Sequence, residues 1–304
     1  MRNLEKYKGV FPAFYACYDD NGEISTERTQ RFADYLVSKG VKGLYLTGSS
    51  GECIYQTLEE RKRIVESVME AVGGRATIIA HIAAPSTRHS VELAQHAEKY
   101  GVDAIASIPP IYFKLPEYAV ADYWTAMADS ADLDFVIYNI PQTTGFSLSV
   151  GLFQEMLKNP KVIGVKNSSM PVLDIQQFRE AAGDNAVIFN GPDEQFVAGR
   201  LMGADSGIGG TYGVMTELFL KADEHIRSGR YDKAMQLQNA INSIIMDMCS
   251  LHGNLYAVMK AVLKIRGMDI GGARPPLPPV SAQDLPHIDR IAQSIEDAVC
   301  AYCS

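Results

Sequence analysis

The sequence predicts a (β/α)8 TIM barrel followed by a C-terminal helical extension, and three features carry that prediction. Short β-rich runs alternate with longer helical patterns, the alternation repeats about eight times over the first 230 residues, and helices alone follow. Strands are expected at "GVFPAFYA" (9–16), "GLYLTG" (43–48), "ATIIAHI" (76–82), "AIASIP" (104–109), "DFVIYNI" (134–140), "VIGVKN" (162–167), "AVIFNG" (186–191) and "GADSGIG" (203–209). Helices are expected between them at 57–72, 87–100, 118–130, 149–158, 172–182, 193–202 and 214–228. A doubly wound open sheet uses the same alternation, but no G-x-G-x-x-G follows the first strand. Residues 1–230 are therefore read as the barrel. Residues 231–304, with "YDKAMQLQNAINSIIMDMCS", "LYAVMKAVLKIRG", the breaker-rich "GGARPPLPPVS" and a last helix near 282–302, are read as a helical appendage packed on it.

Composition bounds the function. The chain has 304 residues, 47% of them hydrophobic and 21% charged, enough for a substantial core. Lys plus Arg is 28 against 36 Asp plus Glu, a net charge of −8 that argues against nucleic acid or an anionic membrane as partner. An anionic substrate must then be held by local donors. No signal-peptide core and no continuous apolar span is present, so a cytoplasmic protein is expected. The five cysteines, Cys17, Cys53, Cys249, Cys300 and Cys303, are odd in number and scattered, which fits reduced thiols. Cys300 and Cys303 form a C-x-x-C without a second ligand pair, read as fortuitous spacing. No H-E-x-x-H or paired-cysteine cluster points to a metal, and no metal is expected.

In a barrel, reacting groups belong at the C-terminal strand ends. Strand six, "VIGVKNSS", ends on Lys166. Strict alternation places Val162, Gly164 and Lys166 on one face, with Ile163 and Val165 packed toward the helices, so Lys166 points into the barrel mouth. Desolvation there lowers a lysine pKa and leaves a neutral amine able to form a Schiff base with a carbonyl. The same strand end also suits a lysine that snorkels to solvent. Tyr138, inward with Val136 while Phe135 and Ile137 face outward, can relay a proton beside such a Schiff base or simply close the barrel rim. Ser49 and Ser50 in "GSSGE" offer hydroxyls and backbone N–H groups suited to a carboxylate; a plain serine–glycine turn has the same composition. Asp193 and Glu194 in "NGPDE" can accept from substrate hydroxyls or cap the helix they start. "SGIGGTYG" (206–213) can line a site with backbone groups for hydroxyls or phosphate, or permit tight packing. His81 reads as a packed histidine.

Together, "GLYLTGSSGE", "YNIPQTTG", "GVKNSS", "NGPDE" and their order resemble the pyruvate-dependent class I aldolase family that includes N-acetylneuraminate lyase and dihydrodipicolinate synthase. The resemblance runs over nearly the whole chain. It implies that Lys166 is the Schiff-base lysine and that Tyr138 shuttles protons. Ser49 and Ser50 would bind the pyruvyl carboxylate, with Ser49 in the proton relay. Tyr112, in "PPIYFKLP", would reach into a neighbouring subunit's site, and the family is typically a homotetramer. Substrate contacts are implied at Ser168, Gly191, Asp193, Glu194, Ile208 and Gly209.

Two features choose between branches. The synthase branch usually carries arginine where this chain has Thr143, and losing a bidentate carboxylate partner weakens that reading. The lyase branch shares the Asp193–Glu194 pair and the run Gly207 through Tyr212. Ser168 stands where the lyase commonly has threonine, and Gly210 where a serine that contacts the sugar is frequent. The expected activity is therefore reversible cleavage of a 2-keto sugar acid, N-acetylneuraminate first, to pyruvate and N-acetylmannosamine, with no cofactor beyond the lysine. Dihydrodipicolinate synthesis, another 2-keto-3-deoxy sugar acid aldolase or dehydratase, and a non-catalytic sugar-acid-binding barrel are the alternatives.

Overall fold

The computed structural model describes residues 3–303. Eight parallel strands, Val10–Pro12 (β1), Gly43–Leu46 (β2), Thr77–His81 (β3), Ala104–Ser107 (β4), Asp134–Asn139 (β5), Val162–Asn167 (β6), Val187–Asn190 (β7) and Ser206–Gly209 (β8), follow one another around a barrel. β1 pairs with β8, and the ring is completed by a bridge between Ala13 and Tyr45, where the Phe14 N–H donates to the Tyr45 carbonyl at 2.8 Å. Eight helices cover the outside: Thr26–Ser38 (α1), Leu58–Val72 (α2), Thr87–Lys99 (α3), Glu117–Asp129 (α4), Val150–Met156 (α5), Leu173–Ala182 (α6), Phe196–Leu201 (α7) and Thr216–Arg227 (α8). Three more, Tyr231–Cys249 (α9), Leu255–Ile265 (α10) and Leu285–Tyr302 (α11), complete the chain. None of the described helices is long and apolar enough to cross a membrane.

Local chemistry sets the boundaries. Ser25, Thr57, Ser86 and Ser149 each accept from a backbone N–H in the first turn of α1, α2, α3 and α5, and Thr57 with Glu60 forms a reciprocal capping box. β1 is shorter than the 9–16 expected, although Ala13 and Phe14 beyond it still donate to the Gly209 and Tyr45 carbonyls at 2.9 and 2.8 Å. The helix expected over 193–202 divides into a 3-10 turn at Asp193–Gln195 and α7. A helical turn at Pro141–Thr144, with proline at its start, was not anticipated.

The barrel interior is filled by Phe11, Tyr45, Ile79, Ala104, Ala106, Val136, Tyr138, Ile163, Val187, Phe189 and Ile208, closed at the N-terminal end by Tyr7. The Tyr7 hydroxyl donates to Asp134 Oδ2 at 2.7 Å. A larger apolar layer lies between strands and helices and includes Val162, Val165, Phe135 and Ile137. Phe135 and Ile137 thus face outward as expected. β6 departs from strict alternation. Phe135 pairs with Val162 but Val136 pairs with Gly164, so Ile163 is an extra residue and forms a bulge. Ile163 therefore enters the barrel and Val162 faces the helices, the reverse of the expected placement. The bulge puts two successive positions, Ile163 and Gly164, in the inward phase, which is why Lys166 still turns inward.

A cavity of about 500 Å³ opens at the N-terminal end of the barrel beside Gly9, Lys42 and Thr77. It lies opposite Lys166, and its Lys6, Lys8 and Arg227 are already paired with Asp103, Glu5 and Asp223.

At the bulge, a Cβ on Gly164 would stand 1.9 Å from the Val187 carbonyl oxygen, a backbone atom of the next strand. Gly164→Ala is accordingly expected to lower unfolding free energy by about 3 kcal/mol, the upper range for overpacking. Urea denaturation of the two proteins checks this, and an unchanged midpoint would show that β7 yields.

Candidate active site

β6 delivers Lys166 and β5 delivers Tyr138 in register, paired across the ladder. Both are buried, at 4% and 3% exposure. The ammonium nitrogen lies 3.9 Å from the centre of the Tyr138 ring and 4.4 Å from that of Tyr45. Among the described residues Lys166 makes no salt bridge, so the snorkelling alternative fails: the head group remains inside. Desolvation brings its pKa down to about 7, against smaller opposing pulls from Asp193 and Cys53. Burial raises the Tyr138 phenol to about 12, while hydrogen bonding by Ser49 and Ser168 draws it the other way. Tyr138 is thus a neutral phenol flanked by two hydroxyls.

Asparagines fix the strand ends. Asn139 donates from Nδ2 to Asn167 Oδ1 at 2.7 Å, and its own Oδ1 accepts the Leu148 N–H at 3.0 Å. Asn167 continues to Ser169 at 2.8 Å, and Ser169 donates to Asp174 at 2.6 Å. Backbone bonds from Ser168 N to Asn139 O (2.7 Å) and from Gly191 N to Asn167 O (2.8 Å) tie β5, β6 and the β7 loop together. Lys166 and Ser168 have little freedom to move.

The Ser49–Ser50 loop follows β2. Thr47 enters the left-handed region at φ 50°, held by its hydroxyl on the His81 carbonyl at 2.7 Å. His81 packs as expected, with Nδ1 2.9 Å from the Thr47 carbonyl. Gly51 N and Glu52 N turn back to Gly48 O and Ser49 O, each at 3.0 Å. Ser50 is buried, and the half-buried Tyr256 of α10 brings its hydroxyl to it. Behind the loop the Glu52 carboxylate meets Lys260 Nζ at 2.5 Å.

On the other side stands Asp193. It does not cap the helix it precedes. Instead Oδ2 accepts from the backbone N–H and hydroxyl of Thr211, at 2.6 and 2.7 Å, and buried Oδ1 has no partner. Burial raises its pKa to about 7, opposed by Thr211, raised further by Glu194 and lowered by Lys166. Half-buried Glu194 has its backbone carbonyl held by Asn242 of α9 at 3.1 Å. A Cβ on Gly209 would lie 2.1 Å from Asp193 Oδ1, so β8 must pass with its backbone bare. Ile208 faces the inner core. Tyr112 stands apart from this cluster, 93% exposed and edge-on to Phe113.

Lys166, Tyr138, Ser49, Ser50, Ser168, Gly191, Asp193, Glu194 and Gly209 therefore surround one mouth at the C-terminal strand ends. Sequence reasoning missed Tyr45 beneath the lysine, the Asn139–Asn167 brace, and Tyr256 and Lys260 from the extension. Tyr45 had a legible signal, because in "GLYLTG" it alternates inward with Gly43. No group of three His, Cys, Asp or Glu side chains is placed to hold a metal ion among the described residues.

A TIM barrel with a desolvated, unpaired lysine at its C-terminal mouth is the class of protein that fold and site define. The chain belongs to the dihydrodipicolinate synthetase family, whose profile matches residues 6–295. It is 59% identical over 300 residues to N-acetylneuraminate lyase of Mediterraneibacter gnavus, covering 98% of this chain and 95% of that one. The N-acetylneuraminate lyase of Rhizobium meliloti is 34% identical, with 92% of each chain covered. A solved structure of a catalytic lysine mutant of the Ruminococcus gnavus sialic acid aldolase superposes with a TM-score of 0.98 at 58% identity, covering 99% of this chain and 100% of that one.

Linkage gives a stability test of the buried amine. Below pH 7 the folded state must hold the ammonium in a dry site. Between about 7 and 10.5 folding instead releases the proton at a cost that shrinks as pH rises. Lys166→Met removes that cost, so it should stabilise the fold by several kcal/mol at pH 6 and by clearly less at pH 9. Urea unfolding at the two pH values reads the difference; an equal gain at both would place the amine in water.

Proposed function

We propose that this protein is a Schiff-base aldolase that reversibly cleaves N-acetylneuraminate to pyruvate and N-acetylmannosamine. The observation that carries the reading is the buried, unpaired Lys166 amine against the neutral Tyr138 phenol. The identity to N-acetylneuraminate lyases and the likeness to a sialic acid aldolase whose catalytic lysine has been named support it.

The chemistry runs on this chain's own side chains. The neutral Lys166 amine attacks the C2 carbonyl of the open-chain sugar acid, and loss of water leaves an iminium. The C4 hydroxyl gives its proton to Tyr138, and the C3–C4 electron pair flows into the iminium, releasing the aldehyde and leaving an enamine. Because burial keeps the phenol protonated, Tyr138 passes its own proton through Ser49 to the bound carboxylate as it accepts the new one, and that proton is the one returned to C3 of the enamine. Protonation at C3 and hydrolysis then free pyruvate and Lys166. The iminium is the electron sink, so the sequence of steps calls for no further cofactor. Ser49 and Ser50 hold the carboxylate through their hydroxyls and their own N–H groups. Asp193 and Glu194 stand on the side of the mouth where the sugar hydroxyls lie.

No observation favours dihydrodipicolinate synthesis. Thr143 is exposed and its hydroxyl donates to the Ile140 carbonyl of its own turn at 3.3 Å, so no bidentate cation takes its place there. The assembly we propose is a homotetramer in the cytoplasm, in which Tyr112 completes a neighbouring site. Tyr112, Phe113 and Tyr118, at 93%, 73% and 72% exposure, offer a partner copy an aromatic surface.

Purified protein should release pyruvate from N-acetylneuraminate, and Lys166→Ala should abolish both release and borohydride trapping of pyruvate. Tyr138→Phe should still trap pyruvate but cleave about 10²- to 10⁴-fold more slowly. Trapping by the wild type should rise with pH through about 7, where the amine loses its proton. Full turnover by Lys166→Ala would end the Schiff-base reading.

A further inference from the structure

We propose that the buried ion pair between Glu52 and Lys260 positions the carboxylate pocket, so that helix α10 of the C-terminal extension helps set how tightly the site holds its 2-keto acid. This rests on the reading of the Ser49–Ser50 loop as the carboxylate pocket. Lys260 and Glu52 are positioning residues, acting through the loop and touching no substrate.

The geometry is continuous from helix to pocket. Glu52 directly follows Ser49-Ser50-Gly51 and closes their turn through its own N–H on the Ser49 carbonyl at 3.0 Å. It does so at φ 56°, in the left-handed region that a residue with a side chain leaves unless something holds it. What holds it is its carboxylate, 0% exposed, which accepts from Lys260 Nζ at 2.5 Å and from the Arg274 backbone N–H at 2.8 Å. Lys260 is fixed in turn by the Gly272 carbonyl at 2.8 Å and by the Tyr18 ring 4.6 Å away. One turn earlier on the same face of α10, Tyr256 reaches the Ser50 hydroxyl. Between them Met259 lies 3.3 Å from the Tyr15 hydroxyl, which donates to the Gly210 carbonyl at 2.6 Å. One helical face thus grips both loops that flank the mouth. Releasing Glu52 lets residue 52 leave the left-handed region, and that rotates the N–H groups and hydroxyls aimed at the carboxylate.

The test compares the full-length wild type with the double variant Glu52→Gln/Lys260→Met, which removes both charges together and leaves neither buried alone. Borohydride trapping on Lys166 is measured by mass spectrometry against pyruvate concentration, beside the melting temperature. Half-saturating pyruvate should rise about tenfold or more, while limiting labelling and its pH midpoint stay those of the wild type. An unchanged half-saturation in the folded variant overturns the proposal, as does a fall in limiting labelling alone, which marks general damage. Should the double variant not fold, Glu52→Asp keeps the charge but retracts it by one methylene, and it must shift half-saturation in the same direction. Failure of the wild type itself to trap pyruvate would overturn the aldolase reading instead.

Discussion

A lysine head group kept dry without a carboxylate at its side is the constraint around which the rest of the site is built. The descent of the Lys166 pKa from 10.5 to about 7 corresponds to roughly 5 kcal/mol of discrimination against the ammonium. A neighbouring carboxylate would reverse that preference, so the surroundings supply aromatic faces instead. Tyr45 and Tyr138 give weak attraction to a cation while excluding water. Asp193 is close enough to raise the lysine pKa somewhat, yet its own burial and its bonds to Thr211 keep it from becoming a salt-bridge partner. The Lys166 pKa stays low although Asp193 and Cys53 both pull it upward.

Lys260 shows what the same burial does when a partner is present. Its side chain is 1% exposed, comparable with Lys166, and desolvation lowers its pKa too, but Glu52 opposes that shift by charge and by hydrogen bond. Removing either partner of such a pair costs about 3–5 kcal/mol, whereas the intact pair contributes little net stability. The benefit of the pair lies in specificity: it fixes one conformation of a strained loop. Two buried lysines thus serve opposite ends, and the difference between them is a single carboxylate.

The barrel was legible because each βα unit carries its own periodicity, and helix boundaries fell within a few residues where serine or threonine caps mark them. The inward face of Tyr138 followed from alternation for the same reason. Alternation failed on β6 because a bulge consumes one residue of the count, and the sole hint was Gly164, where only a missing side chain lets β7 approach. Lys166 was placed correctly while Ile163 and Val162 were exchanged, since the lysine lies beyond the bulge. The contributions of Tyr256 and Lys260 were out of reach for another reason. Glu52 and Lys260 are 208 residues apart, and no local pattern announces a contact of that range. What could have been noticed is that Lys260 sits on the buried face of α10 beside Val258, Met259, Val262 and Leu263, where a cation needs a partner.

The mouth is polar in a definite direction. The Ser49 and Ser50 hydroxyls stand on the β2 side, the amine and phenol on β6 and β5, and the Asp193 carboxyl on the β7–β8 side. Under the proposed aldolase reading these three zones meet a carboxylate, a carbonyl and hydroxyls in that order. Asp193 Oδ1 is buried without a donor, an arrangement that costs about 1–3 kcal/mol. Gly210 leaves little room beside Ser50, since a Cβ there would stand 3.0 Å from its hydroxyl, closer than ordinary van der Waals contact. The backbone of β8 and its loop must therefore pass bare on this side of the mouth, because a side chain at Gly209 would press on Asp193 and one at Gly210 on Ser50.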